Sequence, residues 1–183
     1  MKRWLFPIAF LSLALAGVAW LQQWQSRSRT GFAAPDFALP DLHGRTRRLS
    51  EFRGKVVFLN VWTTWCPPCR MEMPSMEALY RQFRDQDFVV LAVNADENGA
   101  EAARPFVAEF GLTFPVLLDP EGRVSTRYGV TGYPETFIID RDGHVVKHTI
   151  GPAEWQSAQM VDYFRELLER PASGDRAAGV AGS

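Results

Sequence analysis

Cysteine is almost absent from this chain, with two residues in 183, at positions 66 and 69. A disulfide-rich scaffold is therefore excluded, and no structural bridge can exist beside that one pair. A surplus of either charge is missing as well. Twenty Lys and Arg stand against 21 Asp and Glu, so no global field points to nucleic acid or another strongly charged partner. No Gly-X-Gly-X-X-Gly for a flavin or nicotinamide occurs, and no internal repeat. Histidine is scarce. His43, His144 and His148 are not at ligand spacing, and without further cysteines a structural zinc site lacks its four ligands. Arg70 stands where a c-type haem would need His directly after the second Cys. No metal and no bound cofactor is expected.

What the chain does contain begins with Trp4 to Leu21, eighteen residues without a charge, after Lys2 and Arg3. Roughly 20 apolar residues cross a bilayer, so this run just reaches the length of a membrane helix. A signal peptide cleaved near Ala14-Leu15-Ala16 is the rival. Apolar character continues past that site, and Trp20 and Trp24 suit an interface, which favours an uncleaved anchor. Lys2 and Arg3 favour an inside N-terminus, although Arg27 and Arg29 blunt the bias. The expected division is a short N-terminus (residues 1–3), a transmembrane anchor or uncleaved signal (4–21), a polar linker (22–33), one folded domain (34–170) and a disordered tail (171–183).

Within the domain, Phe37, Leu39 and Leu42 flank a His43-Gly44 turn signal and predict a short hairpin. Ser50 to Gly54 reads as a turn or a single helical turn. Val56 to Trp62 is a continuous β-branched and aromatic run, as in a strand buried on both faces. From Pro67 the period changes: Met73, Met76, Leu79, Tyr80 and Phe83 recur every three to four residues, a helix with one buried face. Phe88 to Val93 reads as a second strand, Asn98 to Phe110 as a helix stopped by Gly111, and Phe114 to Leu118 as a short strand. Pro105 must mark that helix's first turn or a kink. Thr136 to Ile139 and Val145 to Ile150 flank Asp140-Arg141-Asp142-Gly143, a hairpin signal. A last helix carries Ser157, Met160, Val161, Phe164, Leu167 and Leu168 on one face and ends at Pro171. Strands alternating with helices, then a hairpin and a helix, predict an α/β fold with a central mixed sheet flanked by helices.

Both cysteines lie in Trp65-Cys66-Pro67-Pro68-Cys69, between the first buried strand and the helix. Disulfide exchange needs an exposed, acidic thiol and a second thiol that resolves the mixed disulfide. A helix N-terminus stabilises a thiolate at Cys66, and Cys69, three residues on, shares its helix face. Cys66 is the expected nucleophile and Cys69 the resolving thiol. Pro67 and Pro68 have no amide N–H, so only the Cys69 and Arg70 amides and the Cys69 thiol remain as donors to Cys66. A thiolate with so few donors is only moderately stabilised, which suits a reductant.

The motifs carry a resemblance beyond spacing. Ala34-Pro35-Asp36-Phe37, Gly54-Lys55-Val56-Val57, Asn60-Val61-Trp62 and Trp65 to Arg70 follow one another as in TlpA/ResA/CcmG-like thiol–disulfide oxidoreductases of the thioredoxin-like superfamily. Phe114-Pro115-Val116, Tyr133 to Asp140 and Asp142-Gly143 continue the match over roughly residues 34 to 170. The resemblance implies a thioredoxin-like fold with an N-terminal hairpin extension. It also implies a protein-disulfide reductase tethered to the cytoplasmic membrane, with its domain in the periplasm or an equivalent extracytoplasmic space. Clients would be disulfide proteins, with apocytochrome c a candidate because several members serve cytochrome c maturation. Electrons would come from a membrane thiol reductase. Pro134 matches the family's cis-proline, which helps bind substrate; sequence alone would make it trans, since about 5–6% of X–Pro bonds are cis. Asn60 stands where thioredoxin has a buried acid, and asparagine cannot take a proton. The resemblance aligns Glu97 with an acid that approaches the cysteines, so Glu97 is expected partly buried, with a raised pKa, relaying the Cys69 proton. Trp65 and Tyr133 flank the site and suit packing and substrate contact equally.

Two other classes compete. Related copper chaperones use two cysteines and a histidine, but space the cysteines by three residues, and no histidine here sits in a matching motif. Thiol peroxidases of the peroxiredoxin type place the reactive Cys in a Thr-X-X-Cys turn, which Thr63 and Cys66 satisfy. Trp65 and Cys69 follow the reductase pattern instead.

Overall fold

A computed structural model describes residues 30–172. The expected anchor, most of the linker and most of the tail lie outside the described residues. Among the described residues no helix is long and apolar enough to cross a membrane. Strand β1 (Ala38–Pro40) and β2 (Thr46–Arg48) form the expected hairpin, followed by a single 3-10 turn at Leu49–Phe52. Its tight turn is fastened by Asp41, whose Oδ1 accepts from the amides of His43 and Arg45 at 2.8 and 2.9 Å. Then come β3 (Val56–Trp62), α1 (Pro67–Phe83), β4 (Phe88–Asn94), α2 (Ala100–Phe110), β5 (Val116–Leu118), α3 (Arg123–Tyr128), β6 (Glu135–Ile139), β7 (Val145–Ile150) and α4 (Ala158–Glu169).

The main sheet has the order β5-β4-β3-β6-β7. β3 runs parallel to β4 and antiparallel to β6, so the sheet is mixed as expected. Every residue of β3 is buried, and alternation along it divides the core in two. Val56, Phe58 and Trp62 face Met73, Met76 and Leu79 of α1, Phe106 of α2 and Phe164 of α4. Val57, Leu59 and Val61 face Val124 and Tyr128 of α3, with Leu49, Phe52 and Phe37. Asn60 shares the parity of Phe58 and Trp62, so this polar side chain stands on the α1 face.

Some boundaries differ from those read in the sequence. The folded unit reaches back beyond position 34: Gly31 donates to the Val145 carbonyl, Val145 donates to the Phe32 carbonyl, and Ala33 bridges His144. Those backbone groups satisfy part of an edge strand, which a polar, patternless sequence does not announce. β5 is shorter than expected because Pro115 offers no ladder donor. Pro105 is the sixth residue of α2, inside the helix rather than in its first turn, and Pro74 likewise lies inside α1. Gly111 ends α2 at φ 60°, a left-handed cap that suits glycine.

Candidate active site

β3 delivers the chain to Thr63, and α1 begins at Pro67, so the dithiol sits at the strand-to-helix turn. Cys66 and Cys69 form a disulfide with Cα atoms 5.3 Å apart. Cys66 is the N-cap of α1, and its Sγ accepts from the Cys69 amide at 3.2 Å. The Arg70 amide is spent on the Cys66 carbonyl, also at 3.2 Å. Of the two amides expected beside the sulfur, one therefore serves it, and the prolines supply none.

The loop before β6 closes the site from the other side. The Tyr133–Pro134 peptide is cis, as the resemblance implied, and the Tyr133 carbonyl oxygen lies 3.5 Å from Cys66 Sγ. Trp65 is 68% exposed and meets Tyr133 edge-on, with ring centroids 6.0 Å apart. An aromatic this exposed contributes little to core packing.

Glu97 requires a correction. It is exposed, not partly buried, and lines a groove of about 450 Å³ with Trp65, Asn98 and Tyr133. Its neighbour Asp96 is the buried acid of that segment. Asp96 accepts from the Thr64 amide (2.9 Å), the Thr64 hydroxyl (3.1 Å) and Asn94 Nδ2 (2.6 Å), which ties the end of β4 to the loop carrying Trp65.

The acid nearest the resolving cysteine in sequence is Glu72, one helical turn after Cys69. It is 2% exposed. Asn60 Nδ2 donates to its Oε1 at 3.0 Å, while Trp155 Nε1 (2.9 Å) and the Ala153 amide (3.2 Å) donate to Oε2. Asn60 Nδ2 also donates to Thr136 Oγ1 at 2.9 Å. Burial pushes the Glu72 carboxyl up to about 7, outweighing the three hydrogen bonds that favour its charged form. Asparagine thus stands in the strand position, and the titratable group is supplied from the helix. The sequence held a signal for this: Glu72 lies at i+3 from Cys69, beside Met73 and Met76 on the buried face. What it could not show was Trp155, 83 residues away, as the cover.

Among the described residues no three His, Cys, Asp or Glu gather as a metal would need. His148 pairs instead with Glu135 at 2.8 Å.

A redox-active dithiol capping a helix opposite a cis-proline, on a thioredoxin-like mixed sheet, defines a thiol–disulfide oxidoreductase. Residues 30–148 match the model of the AhpC/TSA family. The chain is 41% identical over 168 residues to the thiol–disulfide oxidoreductase ResA of Halalkalibacterium halodurans, covering 90% of this chain and 93% of that protein. It is 48% identical over 121 residues to ResA of Geobacillus thermodenitrificans, 66% and 69% of the two chains. A solved thiol:disulfide interchange protein, DsbE of Chlorobium tepidum, superposes with TM-score 0.71 at 36% identity, covering 76% of this chain and 98% of that one. The chain belongs to the AhpC/TSA family, among its ResA-like thiol–disulfide oxidoreductases.

Proposed function

We propose that the chain is a reductase of client protein disulfides, anchored by residues 4–21 in the cytoplasmic membrane with its domain on the outer side. Apocytochrome c is the proposed client, and a membrane thiol reductase the proposed electron donor. The observation that carries the direction is the single amide at Cys66 Sγ. Strong oxidants owe their power to a highly stabilised thiolate in the reduced form, and this site offers little of that stabilisation.

In the proposed turnover, the reduced Cys66 thiolate attacks one client sulfur, forming a mixed disulfide and releasing one client thiolate. Glu72 takes the Cys69 proton, and the Cys69 thiolate attacks Cys66 Sγ. The second client thiolate leaves, and the Cys66–Cys69 disulfide remains. Two electrons have passed to the client, and the membrane donor returns them. A carboxyl near 7 is matched to a thiol whose ordinary pKa is about 8.5. In this scheme the proton relay belongs to Glu72, while exposed Glu97, with Trp65, Tyr133 and Pro134, faces the client. Glu97→Gln is then expected to leave the pH dependence of reduction unchanged and to alter client affinity alone.

Trapping tests the reading. A full-length Cys69→Ala chain, expressed in a bacterium that makes c-type cytochromes, should hold apocytochrome c as a mixed disulfide on Cys66. It should also fractionate with alkali-washed membranes. Capture of other proteins but never of apocytochrome would refute the client, and a soluble chain would refute the anchor. The peroxidase alternative predicts consumption of hydrogen peroxide by the reduced protein, and the copper alternative predicts stoichiometric Cu(I) loading that depends on a histidine.

A further inference from the structure

Glu135 opens β6 directly after Pro134 and takes no part in the chemistry above. It is fully buried, opposite Val61 near the end of β3 that leads to the dithiol. Burying a carboxylate is costly unless donors meet both oxygens. Here Oε1 accepts from the Thr131 amide (2.7 Å), the Thr131 hydroxyl (2.8 Å) and the Gly132 amide (3.3 Å). Oε2 lies 2.8 Å from Nε2 of His148, itself buried in β7. The His148 ring is stacked on Phe137, centroids 4.3 Å apart and planes 6° from parallel.

Thr131 and Gly132 are exposed on their outer side, and Gly129 and Gly132 leave this stretch little conformational restriction of its own. Its amides nevertheless turn inward to one carboxylate. The next residue is Tyr133, whose carbonyl lies 3.5 Å from Cys66 Sγ. A bond network of this kind is more than a core filler, because an apolar side chain of similar volume would fill the space without holding two successive amides.

We infer that Glu135, braced by His148, is a positioning residue that fixes the Thr131–Tyr133 loop as the edge on which the client chain docks. It touches no reacting atom and acts through the loop. The inference rests on the proposed reading that the client lies along Tyr133 and Pro134.

The test uses the reduced full-length protein in detergent and a synthetic peptide with an oxidised Cys-X-X-Cys-His segment, with the reduction rate followed against peptide concentration. Displacing a docking edge weakens binding before it alters the sulfur chemistry, so Glu135→Ala should raise the half-saturating concentration about tenfold and change the maximal rate less than about twofold. Glu135→Gln keeps an acceptor oxygen for Thr131 and Gly132 and should restore most of the loss, with His148→Gln in between. Tyr133→Ala tests the underlying reading and should also raise the half-saturating concentration. If Tyr133→Ala does so and Glu135→Ala does not, the positioning role is refuted and the docking reading stands. If neither does, the docking reading falls and takes the inference with it. A loss confined to the maximal rate, or no rescue by Gln, also overturns it. Should Glu135→Ala fail to fold, His148→Gln decides alone: raised half-saturation supports the role and unchanged half-saturation refutes it.

Discussion

Two buried glutamates stand on opposite faces of the sheet, each within a few residues of the reacting sulfurs or the loop beside them. Glu72 is reached by three neutral donors, from Asn60, Trp155 and Ala153, and its carboxyl is pushed up to about 7. Burial pushes the Glu135 carboxyl up as well, but the hydrogen bonds from His148 and Thr131 reverse the effect and hold it below its ordinary range. At Glu72 burial outweighs three neutral donors, whereas at Glu135 His148 and the Thr131 donors outweigh burial. In the proposed scheme the two acids divide labour: Glu72 moves a proton and Glu135 holds a fixed charge.

The largest break of this comparison is at Glu72. The unfolded carboxyl titrates at its ordinary 4.5 and the folded one at about 7, so the folded state binds the extra proton between them. Stability should fall as pH rises through that window, by up to about 3 kcal/mol. Glu72→Gln should abolish the slope, checked by chemical denaturation at pH 5 and 8. The same variant should remove the step near pH 7 from the rate at which Cys69 resolves the mixed disulfide.

At Glu135 the sign is opposite. A lowered carboxyl gives stability that is present above its ordinary 4.5 and lost as pH falls through the folded value. His148→Gln should move that acid limb to higher pH and cost about 1–3 kcal/mol at pH 7, the worth of a hydrogen bond to a charged group. Thermal melts across pH 3 to 7 would measure both.

A smaller effect is expected where a neutral donor is added rather than removed. Pro68→Ala restores an amide at the second helical position, within reach of the Cys66 N-cap sulfur. The Cys66 thiol should become more acidic by about one unit, read from thiolate absorbance against pH. The smallest effect belongs to an exposed ionic partner. Arg70 bonds Glu109 at 2.6 Å and lies over the rings of Phe106 and Phe110, yet both charges face solvent. Arg70→Ala should cost less than about 1 kcal/mol, which separates buried hydrogen-bond partners of a carboxylate from surface ones.

Much of this was legible in the sequence because it is local. The Cys66–Cys69 spacing, the period change at Pro67, and the strand runs at Val56 and Phe88 all report on neighbours within one element. Pro134 was legible only through the family motifs, since nothing local favours a cis bond there. Glu72 escaped because a glutamate in a helix reads as a solvated face until Trp155 and Ala153, far along the chain, cover it. Glu97 was expected to be partly buried because a resemblance places a segment but not the direction of each side chain within it. In that segment Asp96 turns inward and Glu97 outward. Gly31 to Ala33 read as linker because their contribution is backbone pairing, which leaves no side-chain pattern.

The opposed titration of the two acids is measured most directly by carbon NMR of the side-chain carboxyls in the oxidised protein, followed from pH 2 to 9. The expected result is a Glu72 midpoint near 7 and a Glu135 midpoint below the ordinary 4.5. A Glu72 midpoint between pH 4 and 5, or a Glu135 midpoint above 4.5, would overturn the opposed titration of the two acids.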